Sequence, residues 1–205
     1  MEHIFERGTN STTPTFLLLH SLGGTERDLI PLAKKLNPEA SVLSVRGKNV
    51  DNGKRVFCRR SAEGVLDEAD VIYQTNELYE FLTEAANKYT FDRENVVALG
   101  LTDGAHIAAS LLFHYTDALQ GAILYHPIVP RRGIPLPDLT GTSVFIGASK
   151  NNPICPQEET IELEQLLKNA NADVTLHWEN SVNYLTGEIF AASRAWYEST
   201  YLNTI

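Results

Sequence analysis

The chain has 205 residues, 43% hydrophobic and 21% charged, which suits one globular core and is short for two. A net charge of −9 argues against nucleic acid and against an anionic membrane surface, since both select clustered cations. No apolar run approaches the roughly 18–20 residues of a membrane span, and the opening Met-Glu-His-Ile-Phe-Glu-Arg lacks the basic-then-apolar pattern of a secretion signal.

Short apolar runs alternate with amphipathic stretches along the whole chain. Strand-length runs stand at Phe16–His20, Ser41–Val45, Val96–Leu99, Gly121–Tyr125, Ser143–Gly147 and Val174–Trp178. They are almost continuously apolar, as expected of strands covered by helices on both faces. Helices are predicted at Leu29–Leu36, Asp67–Tyr89, Ala105–Tyr115, Pro156–Asn169 and Gly187–Ser199. In the second, Val71, Leu78, Leu82 and Ala85 mark one buried stripe. Pro156 suits the first turn of its helix. The alternation predicts an α/β fold over residues 1–205 as one domain, its sheet mainly parallel with about six to seven strands. There are no repeats, linkers or large lid insertions. The basic residues from Lys54 to Arg60 are too few, and too interrupted by Val56 and Phe57, for a nucleic-acid footprint. Two cysteines, Cys58 and Cys155, form no CxxC and read as free thiols of a cytoplasmic protein. Nothing calls for a metal or cofactor: no histidine pair stands at helical spacing and the cysteines are far apart. The expected partner is a small molecule, and a homodimer is compatible with the sequence.

Ligands of such sheets bind in loops beyond the carboxyl ends of the strands. One of these loops reads Gly100-Leu-Thr102-Asp-Gly104, which is the nucleophile-elbow pattern G-x-S-x-G with threonine for serine. The two glycines are needed where strand and helix approach too closely for side chains. After the first apolar run comes His20-Ser-Leu-Gly-Gly24, like the H-G-x-G-G segment that supplies an oxyanion-hole amide.

With Ser44–Gly47, Phe57–Arg60, Ala62–Gly64, His126–Gly133, Pro153–Pro156 and Leu176–Asn180, these segments resemble the phospholipase/carboxylesterase family of bacterial α/β-hydrolases, in its MhqD-like branch of small esterases. The resemblance runs through nearly the whole chain. It implies an α/β-hydrolase fold and a Ser-Asp-His triad. Matched residue by residue, the nucleophile falls on Thr102, the acid on Asn152 and the histidine on Asn183, preceded by Val182 where the family has glycine. The oxyanion-hole amides fall on Leu22 and Asp103.

An amide has no useful basicity near neutral pH, so Asn183 cannot deprotonate a nucleophile, and Asn152 cannot offset an imidazolium. Thr102 keeps a hydroxyl but adds a methyl on Cβ, and at a sharp elbow it is expected to relax the turn or swing its hydroxyl away. In this fold the base follows the last strand, and no histidine occurs after His177. The expectation is a hydrolase homologue that keeps a pocket and lacks ordinary esterase activity. The competing reading is a working ester hydrolase in which Thr102 uses His106 or His20 as base. Set against it, His106 reads as a solvent-facing or capping residue, and His20 as a residue that holds the loop after its strand. Arg131 and Arg132 fall at the pocket side and could meet an acidic ligand, although solvated surface arginines are commoner; Arg46, Arg59 and Arg60 stand in the same position. The Asp103 carboxylate, beside the oxyanion-hole position, is expected to oppose developing negative charge. Cys155 reads as structural packing.

Overall fold

The computed structural model describes residues 1–61, 64–181 and 185–202. In chain order it begins β1 (His3–Glu6), β2 (Thr15–Leu19), α1 (Ile30–Leu36), β3 (Val42–Val45), then a short hairpin of β4 (Asn49–Asp51) and β5 (Lys54–Val56). There follow α2 (Glu68–Tyr89), β6 (Val96–Leu101), α3 (Asp103–His114), β7 (Gly121–Tyr125) and β8 (Ser143–Ser149). The order closes with α4 (Gln157–Asn169), β9 (Asp173–Glu179), α5 (Gly187–Tyr197) and one π-helical turn, Glu198–Leu202.

Seven strands form the central sheet in the order β1-β3-β2-β6-β7-β8-β9, parallel except for the β1 edge. All six predicted strands and all five predicted helices are present, shifted by a residue or two at their ends. The sheet alternation of side chains feeds two cores. Leu17, Leu19, Ala98, Leu124 and Ile146 pack under α2, α3 and α4, whereas Phe16, Leu18, Leu99, Ile123 and Phe145 pack under α1 and α5. The predicted stripe on α2 is buried throughout. Asp67 caps α2 by accepting from the Asp70 amide. Pro156 immediately precedes α4 rather than lying in its first turn.

Two features position the site. From β2 the chain steps to β3 on one side and later to β6 on the other, so the strand order reverses between β2 and β6. The loops leaving β2 and β6 diverge there, opening the crevice in which doubly wound sheets bind ligands. The second feature is α3, buried from Asp103 to Phe113, which drives the residues of its first turn inward.

Candidate active site at the β6–α3 elbow

Thr102 joins β6 to α3 with φ 47° and ψ −107°. A β-branched residue at positive φ costs about 1–3 kcal/mol. The expected relaxation of the elbow does not occur, and the reason is the surrounding backbone. The Thr102 amide donates to the Tyr125 carbonyl at 2.8 Å, and the Thr102 carbonyl accepts from the His106 amide at 2.9 Å. Gly100 and Gly104 let strand and helix touch: a Cβ on Gly104 would fall 1.9 Å from the Leu19 carbonyl oxygen. The Thr102 hydroxyl does not cap α3. Among the described residues, no imidazole nitrogen hydrogen-bonds it.

A cleft of about 430 Å³ opens above the elbow, lined by Ser21, Leu22, Arg60, Leu101, Thr102, Asp103, His106 and Ile154, with Gly64 at its edge. Both predicted oxyanion-hole residues line it. Neither the Leu22 nor the Asp103 amide has a hydrogen-bond acceptor among the described residues.

His106 is 1% exposed, so the solvent-facing position expected from sequence is wrong. Its helix is apolar nearly all round and buries every face of its first three turns. The Nδ1 atom lies 3.4 Å from Nη2 of Arg60. Because guanidinium only donates, Nδ1 must accept, and the ring proton sits on Nε2. Burial, and then the Arg60 charge, lower the His106 pKa to about 3. The imidazole is therefore neutral, a very weak base, with its lone pair turned to Arg60.

His20 behaves as expected of a loop-holding residue and does not line the cleft. Nδ1 contacts the Ser21 carbonyl at 2.7 Å, and Nε2 accepts from the Gly47 amide at 3.0 Å, so both ring nitrogens are spent.

The Asp103 carboxylate lies elsewhere than predicted. It is 3% exposed and accepts from the Phe57 amide at 2.6 Å, turned into the segment leaving β5 instead of lying free beside the oxyanion position. Burial raises its pKa from 3.8 to about 6, against the opposing pull of the Phe57 amide and Arg60. Between about pH 4 and 6 the folded chain keeps a proton that the unfolded chain has lost, so this group costs stability as pH rises through that window. An Asp103→Asn variant, which keeps an acceptor for Phe57, should gain up to about 3 kcal/mol on the wild type between pH 4 and 7. Urea unfolding at both pH values measures the difference, and a difference independent of pH contradicts the buried-carboxylate account.

Asn152 sits in the loop after β8 and is 5% exposed. Its Oδ1 accepts from the amides of Ile154 at 2.9 Å and Cys155 at 3.1 Å, while its buried Nδ2 has no partner among the described residues. An aspartate there would present a second acceptor to a histidine; the amide presents a donor. Asn183 and Val182 lie outside the described residues. Cys155 is 2% exposed, donates to the His126 carbonyl at 3.0 Å and has its pKa pushed up to about 12 by burial, which makes it inert packing.

Arg131 and Arg132 line a second cleft of about 340 Å³ that shares Arg60, Gly64 and Ile154 with the first. Arg131 pairs with Glu68 at 2.7 Å, and Arg132 pairs with Glu159 at 2.6 Å and Glu162 at 2.9 Å. The arginine in the Thr102 cleft is Arg60. The sequence named Arg60 only among several arginines, because only the fold brings residue 60 against residue 106. Among the described residues no cluster of three or more His, Cys, Asp or Glu could hold a metal, and no helix is long and apolar enough to cross a membrane.

Comparison with known proteins agrees with this fold. The chain is 46% identical over 198 residues to the hydrolase MhqD of Bacillus subtilis (strain 168), covering 97% of this chain and 98% of that protein. A Bacillus cereus carboxylesterase structure superposes with a TM-score of 0.96 at 54% identity, covering 98% of this chain and 95% of that one. The Agrobacterium tumefaciens protein Atu2452, of unknown function, superposes with a TM-score of 0.88 at 30% identity over 97% and 96% of the two chains. The sequence model of the dienelactone hydrolase family matches residues 60–183, a span that runs from Arg60 through the elbow. The chain belongs to the dienelactone hydrolase family and has the α/β-hydrolase fold of the carboxylesterases.

Proposed function

We propose that this chain is a carboxylesterase homologue that has kept the family's small-molecule cleft and lost ordinary ester hydrolysis. One observation carries the proposal. The cleft and its elbow persist, but His106, the imidazole in the wall, offers its lone pair to Arg60 and makes no hydrogen bond to the Thr102 hydroxyl. General-base catalysis needs the base within about 2.6–3.2 Å of the proton it takes and a pKa near the working pH. His106 meets neither condition, and His20 has no free nitrogen. Thr102 with either histidine as base is therefore the weaker reading. An amide nitrogen in place of a second acceptor at Asn152 and the asparagine at position 183 point the same way. Two buried free cysteines suit a reducing compartment, and we place the protein in the cytoplasm.

As a binder the cleft falls within the roughly 300–1,000 Å³ of small-molecule sites. Leu22 and Ile154, 47% and 57% exposed, give it an apolar rim. A thermal-shift screen of short esters, acids and aromatic compounds should yield binders that raise the melting temperature, with amide chemical shifts moving at Leu101–His106. If no compound does either, the retained cleft has no ligand and the reading fails.

A further inference from the structure

We propose that Asn52 is a site of spontaneous covalent modification, where the side-chain amide is lost through a cyclic imide to leave a mixture of aspartate and isoaspartate. Asn52 and Gly53 connect the paired residues Asp51 and Lys54 of the β4–β5 hairpin, and both stand at positive φ, 47° and 76°. Asn-Gly is the favoured pair for such a two-residue turn. Both residues are exposed. The Gly53 amide has no hydrogen-bond acceptor among the described residues, and a Cβ built on Gly53 would meet no atom within 4 Å, so the nitrogen is unhindered. The Asn52 side chain makes one hydrogen bond among the described residues, from Nδ2 to Asp51 Oδ1 at 3.1 Å, which leaves its carbonyl unengaged.

Other asparagines lack one or more of these features. Asn171 shares the left-handed backbone at φ 69°, but the next amide, that of the buried Ala172, is spent on the Leu167 carbonyl at 3.1 Å. Asn76 and Asn87 lie within α2, whose ladder occupies the amides that follow them. Asn37 and Asn152 are buried and precede prolines, which have no N–H to lose. Glycine follows Asn52 and no other asparagine of the chain.

The step balances with water as the sole co-reactant. The Gly53 nitrogen bonds to Asn52 Cγ and gives up its proton, the Cγ–Nδ2 bond breaks, and Nδ2 leaves as ammonia. A side chain on the following residue would crowd this ring closure, and glycine has none. Water then opens the imide at either carbonyl. Breaking the new N–Cγ bond gives aspartate. Breaking the bond from the Gly53 nitrogen to the Asn52 backbone carbonyl gives isoaspartate, whose main chain runs through Cβ and Cγ. Either product adds a negative charge to a chain already at −9. Isoaspartate also puts an extra carbon into a turn that must still close the Asp51–Lys54 pair. The neighbouring Leu22 loop leans on this hairpin, because the Gly23 amide donates to the Arg55 carbonyl at 2.8 Å. None of this depends on whether the Thr102 cleft binds a ligand.

Ageing the folded protein in mildly alkaline heavy-oxygen water, followed by peptide mapping with electron-transfer fragmentation, tests it. Asn52 should convert at least about tenfold faster than Asn171, with solvent oxygen incorporated and isoaspartate present beside aspartate. Gly53→Ala should slow conversion at position 52 by at least about fivefold. Circular dichroism shows whether that variant is folded, and if it is not, the comparison of Asn52 with Asn171 in the wild type decides. Conversion at Asn52 no faster than at Asn171 overturns the assignment. So does aspartate without isoaspartate, which marks direct hydrolysis of the side chain with no imide.

Discussion

Restoring the family side chains together, Thr102→Ser with Asn152→Asp and Asn183→His, should raise hydrolysis of a short p-nitrophenyl ester by at least about 10³-fold over the wild type. In a well-studied protease, loss of the triad costs about 10⁶ in kcat, with about 10³–10⁴ over water left from oxyanion hole and binding. The parts act as a unit, so Thr102→Ser alone should give no resolvable gain. The scaffold is ready for the change. The elbow holds φ 47° even with threonine, and serine removes the β-branched strain. Asn152 Oδ1 already accepts from Ile154 and Cys155, so an aspartate keeps that anchor and turns its second oxygen to the position of Nδ2. Initial rates on the triple variant decide the matter, and a folded triple variant no faster than wild type contradicts a merely degenerate site.

The largest stability effect belongs to Gly104. Gly104→Ala would place Cβ 1.9 Å from the Leu19 carbonyl oxygen and 2.4 Å from its carbon. Both atoms are backbone of a fully buried central strand, so nothing can swing away. Ordinary overpacking costs about 1–3 kcal/mol, and this case should exceed it, at about 4 kcal/mol or failure to fold. Gly187→Ala is the control: it opens α5, meets no atom within 4 Å and should be neutral or stabilising by roughly 0.5 kcal/mol. Denaturant midpoints compare the two, and equal midpoints contradict the close-packed elbow.

How legible the fold was depends on burial from both sides. β2 and β7 are buried at every residue, so each reads as an unbroken apolar run. β1 is an antiparallel edge with all four residues half-buried, and its His-Ile-Phe-Glu carries no such pattern. The β4–β5 hairpin turns at Asn52-Gly53, both at positive φ, a signal the sequence did carry in Asp51-Asn-Gly-Lys54. The elbow was legible as a glycine spacing. The burial of His106 could have been read from Ile107–Phe113, where the helix has hardly a polar face. The inward turn of Asp103 and the Arg60–His106 contact were not legible. Both depend on the segment after β5 folding back over α3, across 46 residues of sequence.

The central claim is that the elbow survives without a working base. Steady-state hydrolysis of short p-nitrophenyl esters by wild type and Thr102→Ala tests it most directly. The account predicts the same slow background rate for both proteins. A wild-type kcat in the usual enzymatic range of roughly 1–10³ s⁻¹, abolished by Thr102→Ala, would contradict it.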